Sequence, residues 1–492
     1  MHENKTILRI AKNSLWAIMT RGIEVLANLV ALAMIARYLG VEDFGIYSFL
    51  MAVVWVVSPY LILGLPRILA REISRDPSRA DELICAGVKL VAAMSVPMIA
   101  GILIFYGFFH QNTIQIHALL LSFIGIISIA VTRIFNSAFV AFEKMKYETC
   151  LTFFSSLSFL FLTGLSVWLN AGLLYFFMAF VLSNLIGLMG AIYISVKRFS
   201  IWPAIGLNLT GMYGLFRETL PIAVCQFLFQ TYSYMGVFIL KYFSDNYSVG
   251  LFQAPSRIII RTQVIPMSIM VALFPLLSRI AMRSPTGDEI RKIVETIIKY
   301  LLIFSLPFAI IGFTLSDMIV SAVFGSAYLA SSIVFRSLIL GINLSFMIVV
   351  FESLIIALNR QWQLIRINTI ALMGSMGLNI AMVSQLDYMG AGMAAPLSDI
   401  VLICTYLFFL RDVLPVKKLL AAIANPLFSA VIMASAIYIL IHVFGMTHRF
   451  FNCFIGMTVY AALLIGMKTF SMGEVNHLKM ILRDARPATN HN

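Results

Sequence analysis

The sequence predicts an all-α integral membrane protein, and three observations support this. Of its 492 residues, 61% are hydrophobic and 12% are charged, about half the charged fraction of an ordinary soluble domain. Apolar runs of about 20 residues, the length that crosses a bilayer as a helix, recur along the chain. Lysine and arginine are concentrated in alternate connections between these runs, so the net charge of +13 reflects membrane topology and not a nucleic-acid partner.

The apolar runs predict about fourteen transmembrane helices. They lie at 14–36, 46–66, 85–108, 117–140, 149–169, 172–195, 218–241, 249–278, 293–314, 332–357, 367–386, 392–410, 421–443 and 450–470. The run at 249–278 is too long for one straight span and contains Pro255, Pro266 and Pro275. Because proline breaks the helical hydrogen-bond ladder, we expect a kinked helix there.

The basic residues predict the orientation of the chain. With the N-terminus in the cytoplasm, 25 lysines and arginines fall in the inner segments, which are the termini and the connections after even-numbered spans. The outer segments, which follow odd-numbered spans, hold only Arg37, Lys241 and Arg449. A missed or additional span would destroy this asymmetry, so the count supports fourteen spans with both termini inside. The outer segments are also too short to hold a catalytic domain.

Two pairs of segments indicate an internal repeat. Residues 135–144 (FNSAFVAFEK) close the fourth span, and residues 351–360 (FESLIIALNR) close the tenth without a gap. A weaker similarity links residues 45–48 (GIYS) to residues 250–253 (GLFQ), again six spans apart. Six spans preserve the membrane orientation, so the repeat is parallel, and transporters often place their substrate site between such halves. Chance similarity between apolar helices that end in a basic residue is the alternative.

The repeat predicts a division into lobes. Residues 1–196 form an N-terminal six-helix lobe and residues 218–410 form a C-terminal six-helix lobe that is pseudo-symmetric to the first. Residues 197–217 form a cytoplasmic linker that lies along the inner surface. Residues 411–492 add an extra C-terminal helix pair and a cytoplasmic tail.

Four arginines lie well inside their predicted spans: Arg21, Arg133, Arg257 and Arg261. An arginine at the centre of a membrane helix costs roughly 2.5–3.5 kcal/mol on insertion scales, so such residues face a wet cavity or a partner. Arg257 and Arg261 are four residues apart and share one helix face. We expect these arginines to line a cavity. The alternative is that each one binds backbone carbonyls or a neighbouring helix.

The deep acidic residues are fewer, namely Glu24, Glu352 and Asp399. Glu24 lies three residues from Arg21 and is placed to pair with it. The net field is positive, which suits an anionic phosphate or pyrophosphate, because the guanidinium fork matches phosphate oxygens. Gln226, Gln230 and Tyr234 on the seventh span either line the same cavity or join helices.

Motifs of enzymes and cofactor sites are absent from the sequence. There is no GxxxxGK[ST], HExxH or GxSxG motif and no Cys/His cluster, so we expect no enzyme, no metal and no cofactor. The five cysteines show no CxxC spacing, and we interpret them as small membrane residues.

Several segments together resemble a known family. They are residues 36–48 (ARYLGVEDFGIYS), 64–66 (GLP), 142–145 (FEKM), 275–279 (PLLSR), 324–328 (FGSAY), 378–379 (LN) and 390–395 (GAGMAA). In their order and spacing they resemble polysaccharide flippases of the Wzx type, in the multidrug/oligosaccharidyl-lipid/polysaccharide exporter superfamily. The resemblance covers about residues 5–410 and is weakest for the last two spans.

The resemblance implies a function. Such proteins move an undecaprenyl-pyrophosphate-linked oligosaccharide, such as an O-antigen repeat unit, from the cytoplasmic to the periplasmic leaflet of the bacterial inner membrane by alternating access. It implies coupling to H+ or Na+, and a polysaccharide polymerase and chain-length regulator as neighbours. By position, Arg21, Arg257 and Arg261 match the central arginines that recur in related flippases.

Three alternatives remain open. A cation or drug antiporter of the same superfamily would need acidic residues in the cavity, and the excess of arginine argues against it. A flippase for a peptidoglycan precursor would use the same fold and chemistry on a different glycan. A membrane polymerase or ligase would need larger outer segments than this chain has.

Overall fold

The computed structural model describes residues 2–109, 113–201, 209–284, 287–445, 448–467 and 469, without the side chains of 2–21, 102–103, 105–109 and 209–212. Within those ranges the chain is helical and contains no strand. The α-helices are α1 His2–Ile62, α2 Leu65–Arg75, α3 Ala80–Phe109, α4 Thr113–Ala141, α5 Lys146–Trp168, α6 Leu173–Phe199, α7 Leu209–Phe243, α8 Asn246–Thr262, α9 Val264–Arg283, α10 Asp288–Thr314, α11 Ser316–Phe324, α12 Ser332–Ala357, α13 Gln361–Phe409, α14 Val416–His442 and α15 Arg449–Gly466.

The predicted number of spans is confirmed once two long helices are divided at their turns. In the described residues, 12 helical stretches are long and apolar enough to cross a membrane. Two of them are far longer than one span: Gly22–Arg75, with 54 residues, and Gln361–Phe409, with 49 residues. Each contains a non-helical residue with positive φ, Gly40 in α1 and Asp387 in α13. Dividing both stretches at these residues gives fourteen helical stretches in the described part of the chain, which agrees with the predicted number.

The predicted kinked helix is also confirmed. The run at 249–278 is divided between α8 and α9, and the break lies at Gln263. Pro266 explains its position, because proline has no N–H to donate and its ring clashes with the carbonyl four residues earlier, at Thr262. The break leaves Arg261 in the last turn of α8.

The longer repeat has the same backbone geometry in both copies. Glu143 and Asn359 occupy equivalent positions and both adopt positive φ, 56° and 57°. The Lys144 N–H donates to the Phe139 carbonyl at 2.7 Å, and the Arg360 N–H donates to the Ile355 carbonyl at 3.0 Å. This is the six-to-one hydrogen bond of a Schellman cap, which ends a helix on a left-handed residue. The two segments thus end the fourth and tenth spans in the same way.

The shorter repeat forms a reciprocal contact. Gly45 follows the first of the predicted outer turns, and a Cβ atom on it would lie 1.8 Å from the carbonyl oxygen of Asn246. Gly250 is its counterpart in α8, and a Cβ atom there would lie 2.1 Å from the carbonyl oxygen of Val41. Each outer turn therefore lacks a side chain where the backbone of the other approaches. We call this pair of contacts the glycine contact.

The chain forms two compact units, Met1–Gln253 and Ala254–Asn492, so α7 belongs to the first. The predicted lobe boundary at 197–217 stays a prediction, and residues 202–208 of that linker lie outside the described residues. In the second unit α14 and α15 pack against α10. The Tyr460 hydroxyl of α15 donates to the Ile303 carbonyl of α10 at 3.1 Å. The extra helix pair is therefore part of the packed second unit.

An ion cluster fixes the short helix α11 in the fifth outer segment. The Arg336 guanidinium of α12 donates to both carboxylate oxygens of Asp317, at 2.8 and 2.9 Å, and to the Ser316 hydroxyl at 2.7 Å. Arg449, at the start of α15, donates to Asp317 at 3.3 Å. Partial burial opposes ionisation, but hydrogen bonds from Ser332 and Arg449 and the charges of both arginines outweigh it and lower the pKa of Asp317.

This lowered pKa predicts a pH-dependent contribution to stability. The contribution is complete above the pKa of an unfolded aspartate and is lost as the pH falls through the lower folded pKa. We therefore expect Asp317→Asn to reduce the free energy of unfolding at pH 7 by about 0.5–1 kcal/mol, a small value because the cluster is partly exposed to solvent. The difference from wild type should shrink below about pH 4. Thermal unfolding of the purified protein at pH 7 and pH 3 tests this, with the exposed Glu42→Gln as control. If Asp317→Asn were destabilised as much at pH 3 as at pH 7, the ionised Asp317 would not be the source of the stability.

Candidate functional site

Arg257 and Arg261 lie on consecutive turns of α8, in its part that belongs to the second unit. Both side chains are half-buried. Arg261 lies in the last turn before the break at Gln263, where the partial negative charge of a helix C-terminus favours a cation. The predicted pair therefore shares one helix face, and the broken helix supplies part of the stabilisation for a charge at membrane depth.

Arg133 on α4 belongs to a charged cluster inside the first unit. Its charge interacts with the carboxylates of Glu24 on α1 and Glu148 on α5, and Glu24 has the larger effect. The Arg133 side chain is exposed on α4. Sequence reasoning found Arg133 and Glu24 but missed Glu148, because only the packing of α5 beside α1 brings it near.

The predicted pairing of Glu24 with Arg21 is not tested, because the Arg21 side chain lies outside the described residues. The described residues add an electrostatic interaction of Glu24 with Arg133 on another helix. The pairing with Arg21 stays a prediction, and the interaction with Arg133 could not be found without the fold.

The polar residues of α7 serve helix packing in at least one case. The Gln230 side-chain amide donates to the Trp55 carbonyl of α1 at 3.4 Å. Gln226, one turn earlier on the same face, is half-buried, and Tyr234 is buried. Of the two roles left open by the sequence, that of joining helices therefore fits Gln230, which connects α7 to α1.

Asp399 and Glu352 lie in the second unit. Asp399 on α13 accepts a hydrogen bond from the Ser345 hydroxyl of α12 at 2.9 Å. Two residues before Ser345, the Asn343 side chain accepts one from Ser305 of α10 at 2.6 Å. Polar side chains therefore join α10 to α12 and α12 to α13 inside this unit. Glu352 is half-buried on α12.

Arg360, two turns after Glu352, forms a salt bridge with Asp412 in the inner segment that follows α13. The hydrogen bond from the Arg360 guanidinium and its positive charge lower the pKa of Asp412. Arg360 thus serves to hold two inner segments of the second unit together.

The site residues are divided between the two units. The first unit holds Glu24, Arg133, Gln226, Gln230 and Tyr234, and the second unit holds Arg257, Arg261, Glu352 and Asp399. Direct electrostatic interaction joins Arg133 and Glu24 among them. Among these residues, the first unit holds one arginine and one carboxylate, and the second unit holds two arginines and two carboxylates.

A family model described as "Polysaccharide biosynthesis protein" matches residues 10–281, which is more than half of the chain. The chain belongs to the polysaccharide biosynthesis protein family. A second model, described as "Lipid II flippase MurJ", matches residues 241–460. The family match covers α8 with Arg257 and Arg261, and both repeats of the glycine contact.

Other known proteins agree with this family. A provisionally named O-antigen transporter of Shigella flexneri is 24% identical over 346 residues, covering 66% of this chain and 79% of that protein. The solved structure of the lipid II flippase MurJ in an inward closed conformation has a TM-score of 0.70 at 15% identity, covering 93% of this chain and 99% of that chain. An inward-facing multidrug resistance MATE family transporter has a TM-score of 0.66 at 14% identity, covering 79% and 94%.

These similarities confirm the predicted resemblance of this polysaccharide biosynthesis family member to Wzx-type flippases and its all-helical transporter fold. They support a multi-pass bacterial membrane protein. The names of the family and of its relatives point to a transporter or flippase rather than to a catalytic enzyme.

Proposed function

We propose that this protein is a flippase for a lipid-linked oligosaccharide. It moves an undecaprenyl-pyrophosphate-linked O-antigen or other surface-polysaccharide repeat unit from the cytoplasmic to the periplasmic leaflet of the bacterial inner membrane, with both termini in the cytoplasm. The observation that carries the proposal is the half-buried pair Arg257 and Arg261 at the break of α8, inside the polysaccharide biosynthesis match.

The chemistry of the pair supports a pyrophosphate ligand. Two guanidinium groups one turn apart present planar donor forks that match the oxygens of a diphosphate. Each arginine at this depth costs free energy unless a partner or water compensates it, and an anionic substrate supplies that compensation during transport. Arg21 and Arg133 extend the basic set, and Gln226 and Tyr234 are candidates for contact with sugar hydroxyls.

Alternating access is part of the proposal. The glycine contact holds the first and fourth predicted outer turns together within the first unit, and we propose that it separates during the transport cycle. Glu24 beside Arg133 and Asp399 beside Ser345 are the candidates for coupling to H+ or Na+. A polysaccharide polymerase and a chain-length regulator are the expected protein neighbours.

A flippase for a peptidoglycan precursor is the second candidate, and the MurJ model match over residues 241–460 favours it. The two candidates use the same chemistry on the diphosphate and differ in the glycan. A cation or drug antiporter is less compatible with the chain, because the arginine pair of α8 would repel a cationic substrate.

Mass spectrometry of lipids from a strain that lacks this protein tests the proposal. We expect an undecaprenyl-pyrophosphate oligosaccharide to accumulate and to disappear on re-expression. A mass equal to the surface-polysaccharide repeat unit supports the first candidate, and a peptidoglycan precursor supports the second. Unchanged lipids and unchanged surface polysaccharide, in a strain without a second flippase, would contradict both.

A further inference from the structure

An elongated apolar cavity of about 700 Å³ lies inside the first unit, between the second span of α1, α3 and α7. Its lining consists of aliphatic and aromatic side chains, among them Val53 and Val57 of α1, Met98 of α3 and Phe227 of α7. We call this cavity the α1–α3–α7 groove. It contains none of the basic residues discussed above, so it is a separate feature from the arginine pair of α8.

The groove is open at its surface. Tyr60 and Phe227 line it with 36% and 41% of their surface exposed. Both residues belong to helices that are long and apolar enough to cross a membrane. An empty groove of this size would forfeit the dispersion contacts of its whole lining. A hydrocarbon chain is therefore the occupant that the lining favours.

The length of the groove selects among hydrocarbon chains. Its lining extends along α1 from Phe49 to Leu63 and along α7 from Leu220 to Phe238. At 1.5 Å per residue these stretches are about 21 and 27 Å long. One leaflet accounts for about 15 Å of the roughly 30 Å hydrocarbon core. The groove is longer than one leaflet is deep, so a polyprenyl tail, which is long enough to reach beyond the mid-plane of the bilayer, can fill it.

The inner end of the groove meets the basic helix α2. A Cβ atom on Gly64 would lie 2.7 Å from the Ile222 side chain, so the start of α2 packs closely on α7. Arg67 and Arg71 follow on one face of α2, and both are exposed. Arg71 donates to Glu218 at 2.5 Å, two residues before Leu220 of the lining. Arg67 has no ion-pair partner in the described part of the chain.

We propose that the α1–α3–α7 groove binds the polyprenyl tail of the lipid-linked substrate, with Arg67 and then Arg71 against its diphosphate at the level of the inner headgroups. The inference rests on the proposed function and deepens it, because it gives the substrate a docking place in the first unit before the diphosphate reaches Arg257 and Arg261. The apolar lining recognises the tail, and the guanidinium of Arg67 recognises the phosphate oxygens. Neither contact depends on the sugars, so the groove is expected to accept carriers with different glycans.

Photo-crosslinking in the full-length protein tests this directly. Tyr60 and Phe227 are each replaced by p-benzoylphenylalanine, which preserves an aromatic ring. The matched controls are Tyr438 and Phe428 of α14, which are 62% and 54% exposed and lie in the second unit. After illumination of cells, the adducts are identified by mass spectrometry. We expect polyprenyl-diphosphate adducts at Tyr60 and Phe227 at least fivefold above those at the controls.

A second variant tests the basic end. Arg67→Ala is expected to reduce the polyprenyl adduct at Phe227 at least fivefold, whereas Arg75→Ala, in which the lost side chain pairs with Glu72, leaves it unchanged. Phospholipid adducts alone, or equal polyprenyl adducts at α14, would overturn the groove assignment. If the strain lacking the protein still accumulates the lipid-linked oligosaccharide, the proposed function survives that failure. If no such lipid accumulates, the proposed function fails, and the inference fails with it.

Discussion

The double variant Arg257→Ala/Arg261→Ala is expected to abolish transport while the protein is still made and inserted. A hydrogen bond to a charged group contributes roughly 1.5–3 kcal/mol, so losing two such contacts to the diphosphate costs about 3–6 kcal/mol. Because about 1.4 kcal/mol is a factor of ten, transport should fall at least ~100-fold. The measurement is the accumulation of the lipid-linked oligosaccharide and the loss of surface polysaccharide in a strain complemented with the variant.

The chain offers a matched control for this variant. Arg279 and Arg283 have the same four-residue spacing at the inner end of α9, and Arg279→Ala/Arg283→Ala should transport normally. The conservative pair Arg257→Lys/Arg261→Lys should restore part of the activity, because lysine keeps the charge but loses the planar fork. Normal surface polysaccharide in the double alanine variant would refute the role of the pair in diphosphate binding.

Gly45→Ala is expected to separate the two turns of the glycine contact and to impair transport. The added Cβ would lie 1.8 Å from a backbone carbonyl, so neither turn can yield by a simple rotamer change. Overpacking of this kind costs typically 1–3 kcal/mol, which corresponds to a shift of about 5- to 150-fold away from the arrangement in which the two turns touch. A cysteine at the buried position Ser48, in a background without native cysteines, should then react at least fivefold faster with a membrane-impermeant thiol reagent.

The reciprocal position of Gly250 predicts the same effect from the other turn. Gly250→Ala should reproduce the effect, since its Cβ would lie 2.1 Å from the Val41 carbonyl. The double variant Gly45→Ala/Gly250→Ala should destabilise the contact little more than either single variant does. Once the turns separate to relieve one clash, the other clash is relieved as well. Gly377→Ala is the control, as nothing lies within 4 Å of a Cβ there. Unchanged thiol reactivity in both single variants would show that the glycine contact does not hold the outer turns together.

The spans and the break in α8 could be predicted from sequence because both depend on local causes. Hydrocarbon imposes the length of each apolar run, and a proline removes a hydrogen bond wherever it occurs. The similarity of 135–144 to 351–360 likewise predicted a shared structure, which proved to be the same Schellman cap with Glu143 and Asn359 at positive φ. No tertiary information was needed for these features.

The charged contacts show where sequence reasoning ends. Spacing along one helix pairs Glu24 with Arg21, which stays a prediction, whereas the electrostatic interaction of Glu24 and Glu148 with Arg133 joins residues on three different helices. Arg449 was counted as an outer charge, but its contact with Asp317 was invisible without the packing of α15 against α10. Each of these pairs joins different helices, and a periodic pattern specifies which face of a helix is apolar but not which neighbour covers it.

The cluster around Asp317 also bears on the order in which the second unit folds during synthesis. Arg336 is 19 residues from Asp317 in the chain, whereas Arg449 is 132 residues away. A ribosome therefore delivers the first arginine almost together with the carboxylate and the second only after more than 100 further residues. This end of the second unit can form early around one salt bridge, and the synthesis of α15 then adds a second cation to the same carboxylate. Helix α15 thus docks on a surface that formed before it was made.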